Sequence, residues 1–305
     1  MTDWGYRAAA FFARRLPPRT SGAIADAIAD GYVTMHPTIA HAVERRLRRL
    51  VRAGTHAGVA NGAPAGVANG ALSAKTPDAR ATYRAFARAV LDFLRAPANS
   101  RAARVELDDE AKRILDRART DGAATLIVSG HFGPWELALR WLASEVGPLD
   151  ALAAPHRSRA VERFFAGRRA ASGVRTLNGG RSAASEALAR LRAGGWLAAL
   201  ADRGCRPRRH VSGLEGLVPI DRAPLLLASR AGARVLGGVS WLGANGALHV
   251  RFLEPFALAP QREGISLPQA ALRLQLFFDE HVRAHPTQWY EWTAPLAGSG
   301  RETGA

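Results

Sequence analysis

Short apolar segments alternate with helical patterns along the C-terminal two thirds of the chain, and this alternation limits the fold more than any other feature. Strands are predicted at 124–128, 149–153, 174–177, 196–201, 235–241 and 247–252, and helices at 158–171, 181–192, 223–231 and 267–284. A further helix is predicted to begin near Pro134. Strands and helices that alternate through short connections predict an α/β fold, with a central mixed sheet flanked by helices.

The N-terminal part of the chain has a different pattern. Residues 6–52 are predicted to be helical, and further helices are predicted from Asp78 to Pro97 and over 107–119. Between them, Gly58-Val59-Ala60-Asn61-Gly62-Ala63 recurs as Gly66-Val67-Ala68-Asn69-Gly70-Ala71, a small-residue duplication typical of a flexible insertion. The predicted organisation is a helical extension over 1–56 that could associate with a membrane, a linker over 57–77 and an α/β domain over 78–305.

A histidine and a carboxylate flank the first strand-to-helix junction, in the segment Ser129-Gly130-His131-Phe132-Gly133-Pro134-Trp135-Glu136. In one continuous helix, five positions correspond to about 500° of rotation, and the two side chains would diverge. A turn between strand and helix removes that objection. The pattern therefore predicts that His131 is a general base, with Glu136 as its carboxylate partner.

Each of these residues also has a structural interpretation. A glutamate in a first helical turn commonly interacts with free backbone N–H groups, and a histidine in a tight turn is often hydrogen-bonded locally. The glycines on both sides of His131, Gly130 and Gly133, favour the functional interpretation because they admit close approach of a substrate. Asp202, which follows the strand predicted at 196–201, is expected at the same edge of the sheet as His131.

The formal net charge of +16 predicts an anionic partner. Nucleic acid ranks last, because the chain has no groove-reading motif and no interleaved stacking aromatics. An anionic bilayer or small phosphorylated substrates remain. The basic run Arg45, Arg46, Arg48, Arg49 and Arg52 is either solvated or in contact with anionic lipid, and it lies near an apolar helical face formed by Ile24, Ala27, Ile28 and Tyr32.

Other classes are disfavoured by what the sequence lacks. It has no apolar run long enough to span a bilayer and no pattern typical of a secretory signal, so a cytoplasmic location is expected. The single cysteine, Cys205, excludes an intramolecular disulfide and disfavours a cysteine-based zinc site. No metal or resident cofactor is expected.

The segment around His131 and Glu136, a basic helix, an aspartate at a strand end and the closing segment His285-Pro286-Thr287-Gln288-Trp289 together resemble the bacterial lipid A biosynthesis acyltransferases, the lauroyl and myristoyl transferases. The resemblance covers most of the chain from about Tyr6. It implies acyl transfer from an acyl carrier protein or coenzyme A thioester to a hydroxyl of a membrane glycolipid. It also implies peripheral association with the cytoplasmic face of the inner membrane.

The resemblance implies roles for particular residues. His131 matches the general base, Glu136 its orienting carboxylate, Arg169 the arginine that stabilises the charged intermediate, and Asp202 the aspartate at the end of a later strand. Substrate contacts are expected from Gly130, Gly133, Arg157, Asp202 and Arg203.

Several positions depart from the family pattern. Ala153-Ala154 stands where Tyr-Arg is common, with Arg157 nearby as a substitute, Asp202-Arg203 replaces Asp-Gln, and Gly213-Leu214-Glu215-Gly216 replaces a Phe-Phe-Gly-like loop. The acceptor is therefore a lipid A-type precursor or another glycolipid, such as a phosphatidylinositol mannoside. An esterase or thioesterase that activates water through His131 is a second hypothesis, and a non-catalytic lipid-binding protein is a third.

Overall fold

The fold of the chain was obtained as a computed structural model, which describes residues 3–60, 78–96, 104–154, 156, 158–203, 211, 216–261 and 263–290. A seven-stranded sheet forms its centre, in the order β1-β7-β6-β2-β5-β3-β4. The strands are β1 Val105–Glu106, β2 Thr125–Ser129, β3 Leu149–Ala153, β4 Val174–Asn178, β5 Trp196–Leu200, β6 Arg234–Leu242 and β7 Leu248–Phe252. Among these described strands, only the β6–β7 pairing is antiparallel. The predicted mixed α/β sheet is therefore confirmed.

Ten helices accompany the sheet in the described part of the chain. They are α1 Asp3–Arg15, α2 Pro18–Met35, α3 Pro37–Ala60, α4 Ala79–Arg95, α5 Asp109–Thr120, α6 Trp135–Val146, α7 Arg159–Ala170, α8 Arg181–Arg192, α9 Arg222–Ala231 and α10 Leu267–Ala284. A 3-10 helix, Pro286–Gln288, follows α10. Side chains of Asp78, Asp108, Ser158, Asp221 and Ser266 accept backbone N–H groups at the starts of α4, α5, α7, α9 and α10.

The sheet is buried on both faces because side chains alternate along its strands. In β2, Leu126 and Val128 pack in the cluster formed with α8, α9 and α10, whereas Ile127 packs in the cluster formed with α5, α6 and α7. All three side chains are at most 5% exposed. A strand buried on both faces explains the continuous apolar run that predicted β2.

The N-terminal helices pack against α4. The guanidinium of Arg84 makes two hydrogen bonds to the Asp30 carboxylate, 2.7 and 2.5 Å long, and Arg88 binds Asp26 in the same way. The buried side of α2 carries only small side chains and one valine: Ser21, Ala25, Ala29 and Val33. The N-terminal helices therefore pack against α4, a helix that the sequence assigned to the α/β domain on the other side of the predicted linker.

The element boundaries differ from the predicted ones in two informative places. The short edge strand β1 was not predicted, because two residues carry no detectable periodicity. Pro134 is the N-cap of α6, so the helix begins one residue later than expected. Residues 61–77, which include most of the duplicated small-residue segment, lie outside the described residues.

Candidate active site

The imidazole of His131 lies at the C-terminal edge of the sheet, bound to a buried carboxylate. His131 follows β2 by two residues, and Asp202 follows β5 by two residues. Because β2 and β5 are parallel neighbours with Ser129 opposite Leu200, both side chains reach the edge at the same level. His131 Nδ1 lies 2.8 Å from Asp202 Oδ1, and the His131 backbone N–H donates to Oδ2 at 2.8 Å.

The hydrogen-bond partner of the imidazole is therefore Asp202, where the sequence predicted Glu136. Asp202 is completely buried, and its Oδ2 accepts a further hydrogen bond, 2.9 Å long, from the Trp289 indole Nε1. Burial alone raises the pKa of Asp202, but the contacts with His131 and the bond from Trp289 outweigh it and lower that pKa. Ionised Asp202 accepts a hydrogen bond from Nδ1–H and so keeps the ring proton on Nδ1, which leaves His131 Nε2 as the proton acceptor.

The last described residues of the chain, 288–290, contact the segment that carries His131. The backbone N–H of Gly133 donates to the Gln288 carbonyl, and that of Tyr290 donates to the His131 carbonyl. The Gln288 side chain is bonded to both backbone polar groups of Leu242. This antiparallel contact between 131–133 and 288–290 brings the Trp289 indole to Asp202.

The side chain of Arg46 packs against Trp289. Its Nη2 donates to the Trp289 carbonyl at 2.9 Å, and its guanidinium carbon lies 4.5 Å from the centre of the indole ring. Arg46 is only 6% exposed, whereas Arg45 and Arg48 of the same basic run are exposed. The sequence predicted that this run is either solvated or in contact with anionic lipid, and neither describes Arg46. Its buried side chain instead supports the site by contacting Trp289.

Glu136 is engaged by Arg169 rather than by the imidazole. Arg169 Nε donates to Glu136 Oε2 at 2.9 Å, and Arg169 Nη2 donates to Oε1. Both side chains are nearly buried, at 12% and 11% exposure. Burial alone lowers the pKa of Arg169, but the hydrogen bonds and charge of Glu136 outweigh it and raise that pKa. The third guanidinium nitrogen, Nη1, is buried, and no described residue hydrogen-bonds to it.

An aromatic wall of three side chains, Phe86, Trp135 and Tyr290, stands beside the imidazole. The Trp135 ring centre lies 5.2 Å from that of His131, and Phe86 and Tyr290 lie 6.3 and 5.9 Å from Trp135. Phe86 and Trp135 are partly exposed. Apolar, partly solvated rings next to the base suit an acyl chain.

Gly130 and Gly133 have a packing reason to be glycine. A Cβ on Gly130 would lie 2.5 Å from the Phe132 ring and 2.9 Å from Asp202 Cγ. Gly133 has a φ of 52°, and a Cβ there would lie 2.5 Å from the Ser240 carbonyl oxygen. Protein atoms thus occupy the space in which a substrate was expected to approach these glycines.

The remaining predicted contacts lie at the boundary of the described residues or beyond it. Arg203 follows Asp202 directly and is exposed. Arg157 and residues 213–215 lie outside the described residues. Within the described ranges, no group of three or more histidine, cysteine, aspartate or glutamate side chains is arranged to hold a metal ion.

An α/β sheet that carries a histidine–carboxylate pair at its C-terminal edge, beside an apolar wall, is the arrangement of an enzyme that removes a proton from a hydroxyl. A family model described as Bacterial lipid A biosynthesis acyltransferase matches residues 73–293, which is more than half of the chain. The chain belongs to this family, and it is an acyltransferase. A comparison with curated proteins found no match.

Proposed function

We propose that this enzyme transfers a fatty acyl group from an acyl carrier protein or coenzyme A thioester to a hydroxyl of a lipid A-type glycolipid precursor. The observation that carries the proposal is the pairing of His131 Nδ1 with buried, ionised Asp202, which leaves Nε2 unpaired among the described residues. Membership of the family indicates acyl transfer, and His131, oriented by Asp202, is the base that this reaction needs.

The chemistry requires one proton acceptor and no covalent enzyme intermediate. His131 Nε2 takes the proton of the acceptor hydroxyl as its oxygen attacks the thioester carbonyl carbon. A C–O bond forms, the C–S bond breaks, and the imidazolium returns its proton to the departing thiolate. The products are the ester and the free thiol, and Asp202 stabilises the imidazolium between the two proton transfers.

Arg169 is the proposed stabiliser of negative charge on the thioester carbonyl oxygen. Its Nη1 is the donor that no described residue uses, while Glu136 fixes the other two nitrogens. A single well-placed donor lowers such a barrier by roughly 3 kcal/mol. Glu136 then acts as the residue that positions Arg169.

The proposed mode of attachment is a peripheral one, at the cytoplasmic face of the inner membrane. No helix in the described ranges is both long and apolar enough to cross a bilayer. Of the eleven exposed large hydrophobic side chains in the described part of the chain, eight lie on the first three helices: Trp4, Phe11, Phe12, Ile24, Ile28, Tyr32, Met35 and Ile39. We call these eight the docking surface.

Charge and position both suit the docking surface to anionic lipid. Arg14, Arg15 and Arg19 are exposed next to its aromatic residues. Apolar side chains bordered by arginines are typical of helices that lie in the membrane interface. Helix α4, which packs on α2, carries Phe86 of the aromatic wall, so the docking surface and the aromatic wall belong to neighbouring helices.

The double substitution Ile28→Ser and Met35→Ser is expected to weaken binding to anionic vesicles by about tenfold or more, because both apolar side chains leave the bilayer. The two residues are 66% and 71% exposed, so the fold should be retained. Vesicle co-sedimentation with phosphatidylglycerol-containing vesicles measures the effect. The matched control is Leu272→Ser with Leu276→Ser on α10, which are 45% and 61% exposed. Equal loss in both double variants would contradict the docking surface.

The proposed reaction is tested by product analysis with defined substrates. The full-length protein is incubated with acyl-carrier-protein or coenzyme A thioesters and a lipid A precursor, a phosphatidylinositol mannoside or no acceptor, with His131→Ala as the inactive control. Mass spectrometry should show a singly acylated lipid A precursor. Acylation of the mannoside alone would identify another glycolipid acceptor. Free fatty acid formed equally with and without acceptor would indicate a thioesterase and refute the proposal.

A further inference from the structure

The structure contains a second histidine–carboxylate pair built like the first. His156 Nδ1 lies 2.7 Å from Glu162 Oε2, and the His156 backbone N–H donates to the same oxygen at 2.8 Å. In the first pair, His131 likewise offers both its backbone N–H and its Nδ1 to one carboxylate. A carboxylate that accepts both groups fixes the ring's orientation and its tautomer.

The two pairs stand on the same edge of the sheet. His156 follows β3 by three residues, and β2 and β3 both pair in parallel with β5 between them. Two strand spacings separate β2 from β3, which puts the two imidazoles on the order of 10 Å apart along the edge. The end of β5, with Asp202, lies between them.

Glu162 also connects the second pair to the ion pair of the candidate site. Glu162 and Arg169 are seven residues apart on α7, which places them on one face of the helix. Burial alone raises the pKa of Glu162, but the hydrogen bonds from His156, together with electrostatic attraction to Arg169, outweigh it and lower that pKa. His156 is thus hydrogen-bonded to Glu162, Glu162 interacts electrostatically with Arg169, and Arg169 is bonded to Glu136.

The second pair offers hydrogen-bond acceptors that no described residue satisfies. The Glu162 residue is 9% exposed, and its Oε1 is buried without a hydrogen-bond partner. Ionised Glu162 keeps the proton of a neutral imidazole on Nδ1, so the unpaired Nε2 of His156 is an acceptor as well. The side chain of His156 is 38% exposed and its ring stacks on Phe165 at 5.0 Å. Unpaired acceptors that are held rigidly in this way select a ligand that donates hydrogen bonds.

We infer that His156 is a second substrate-contacting residue, whose Nε2 accepts a hydrogen bond from a hydroxyl or amide N–H of a substrate bound along the same sheet edge as His131. The inference rests on the proposed acyl transfer. Two substrates carry such donors: the glycolipid acceptor through its sugar hydroxyls, and the thioester donor through the amides of its pantetheine arm. Glu162 is the positioning residue that orients the ring.

The substitution His156→Phe preserves the stacking on Phe165 and removes both ring nitrogens. It is expected to raise the KM of one substrate by about tenfold, the equivalent of one lost hydrogen bond, with kcat little changed. A raised KM for the lipid A precursor assigns the contact to the acceptor, and a raised KM for the acyl-coenzyme A assigns it to the donor. His156→Gln, whose amide can donate to Glu162 and accept from the substrate, should recover most of the loss.

The matched control is His41→Phe, because His41 is exposed on α3 and lies 3.6 Å from Glu44, another histidine–glutamate pair. An equal change in His41→Phe, unchanged KM values in His156→Phe, or a loss in kcat alone would each overturn the assignment.

A binding measurement keeps this test separate from that of the reaction itself. Dissociation constants of acyl-coenzyme A and the lipid A precursor are measured by calorimetry for the full-length His131→Ala protein, with and without His156→Phe. If the wild-type enzyme acylates no acceptor, the proposed reaction fails, while the binding comparison still decides the role of His156. Identical dissociation constants for both ligands would refute it.

Discussion

Replacing Asp202 with asparagine is expected to lower kcat by about 10³- to 10⁴-fold, with a much smaller effect on KM. Three donors converge on the Asp202 carboxylate: the backbone N–H and Nδ1 of His131, and the Trp289 indole. Asparagine has one acceptor oxygen and an NH₂ group. The NH₂ group can face the imidazole only if Nδ1 becomes an acceptor, which moves the ring proton to Nε2 and removes the base. The same substitution in the serine-protease triad has an effect of this size.

Steady-state kinetics with acyl-coenzyme A and the lipid A precursor measures this effect. The control is Asp279→Asn, another carboxylate that is 2% exposed and accepts two backbone N–H groups, from Leu217 and Val218. We expect that control to lose stability while its kcat per folded molecule is retained. A wild-type kcat in Asp202→Asn would show that the Asp202 carboxylate does not set the tautomer of His131.

The stability contributed by Asp202 has a defined pH dependence. Its folded pKa is lowered, so the unfolded chain binds the proton first as the pH falls. The contribution is fully present above the ordinary aspartate pKa of about 4 and is lost as the pH falls through the lower folded value. The kinetic loss in Asp202→Asn, measured between pH 6 and 8, is therefore free of any titration of the wild-type carboxylate.

Local patterns in the sequence were sufficient to predict most helices and strands, and to identify His131 in the candidate site. The boundaries predicted for the helices 181–192 and 267–284 and for the strand 149–153 agree with α8, α10 and β3. These segments have a clear apolar period and end at glycine, proline or a polar turn. His131 was identified because strand, turn and helix succeed each other within a dozen residues.

The partner of His131 could not be obtained from local spacing. Asp202 is 71 residues away in sequence, and the contact depends on β5 lying directly beside β2, an order that no local pattern specifies. The available signal was the position of both residues directly after predicted strands. Trp289 and Arg46 are more distant still, and their contact spans 243 residues. Glu136 is close in sequence, but the first turn of α6 carries its side chain to Arg169.

The apolar face of α2 illustrates a second limit. Helical periodicity identified Ile24, Ala27, Ile28 and Tyr32 as one face, and the structure leaves all four exposed. The buried side instead consists of small residues that let α2 approach α4 closely. The spacing of apolar residues along a helix gives the direction of an apolar face but not whether protein or lipid covers it.

The substitution Arg169→Met is expected to reduce the free energy of unfolding by about 3–5 kcal/mol, because it leaves the buried Glu136 carboxylate without its partner. Glu136→Met should also destabilise, by isolating the guanidinium. The double variant Glu136→Met/Arg169→Met buries two apolar side chains instead, and it is expected to recover most of the lost stability. Some loss should remain, since Arg169 also interacts electrostatically with Glu162. Denaturant unfolding of the four proteins gives the complete cycle.

Activity in the same four proteins separates a structural ion pair from a catalytic one. If the unpaired Nη1 of Arg169 stabilises the thioester oxyanion, the double variant folds stably but its kcat is reduced by about 10²- to 10³-fold. The comparison variant is Arg175→Met, which removes one of the two arginine partners of the buried Asp150 on β3 and lies away from the imidazole edge. It should lose stability without loss of kcat per folded molecule. Recovery of both stability and kcat in the double variant would make the pair purely structural, and the oxyanion would then require a different donor.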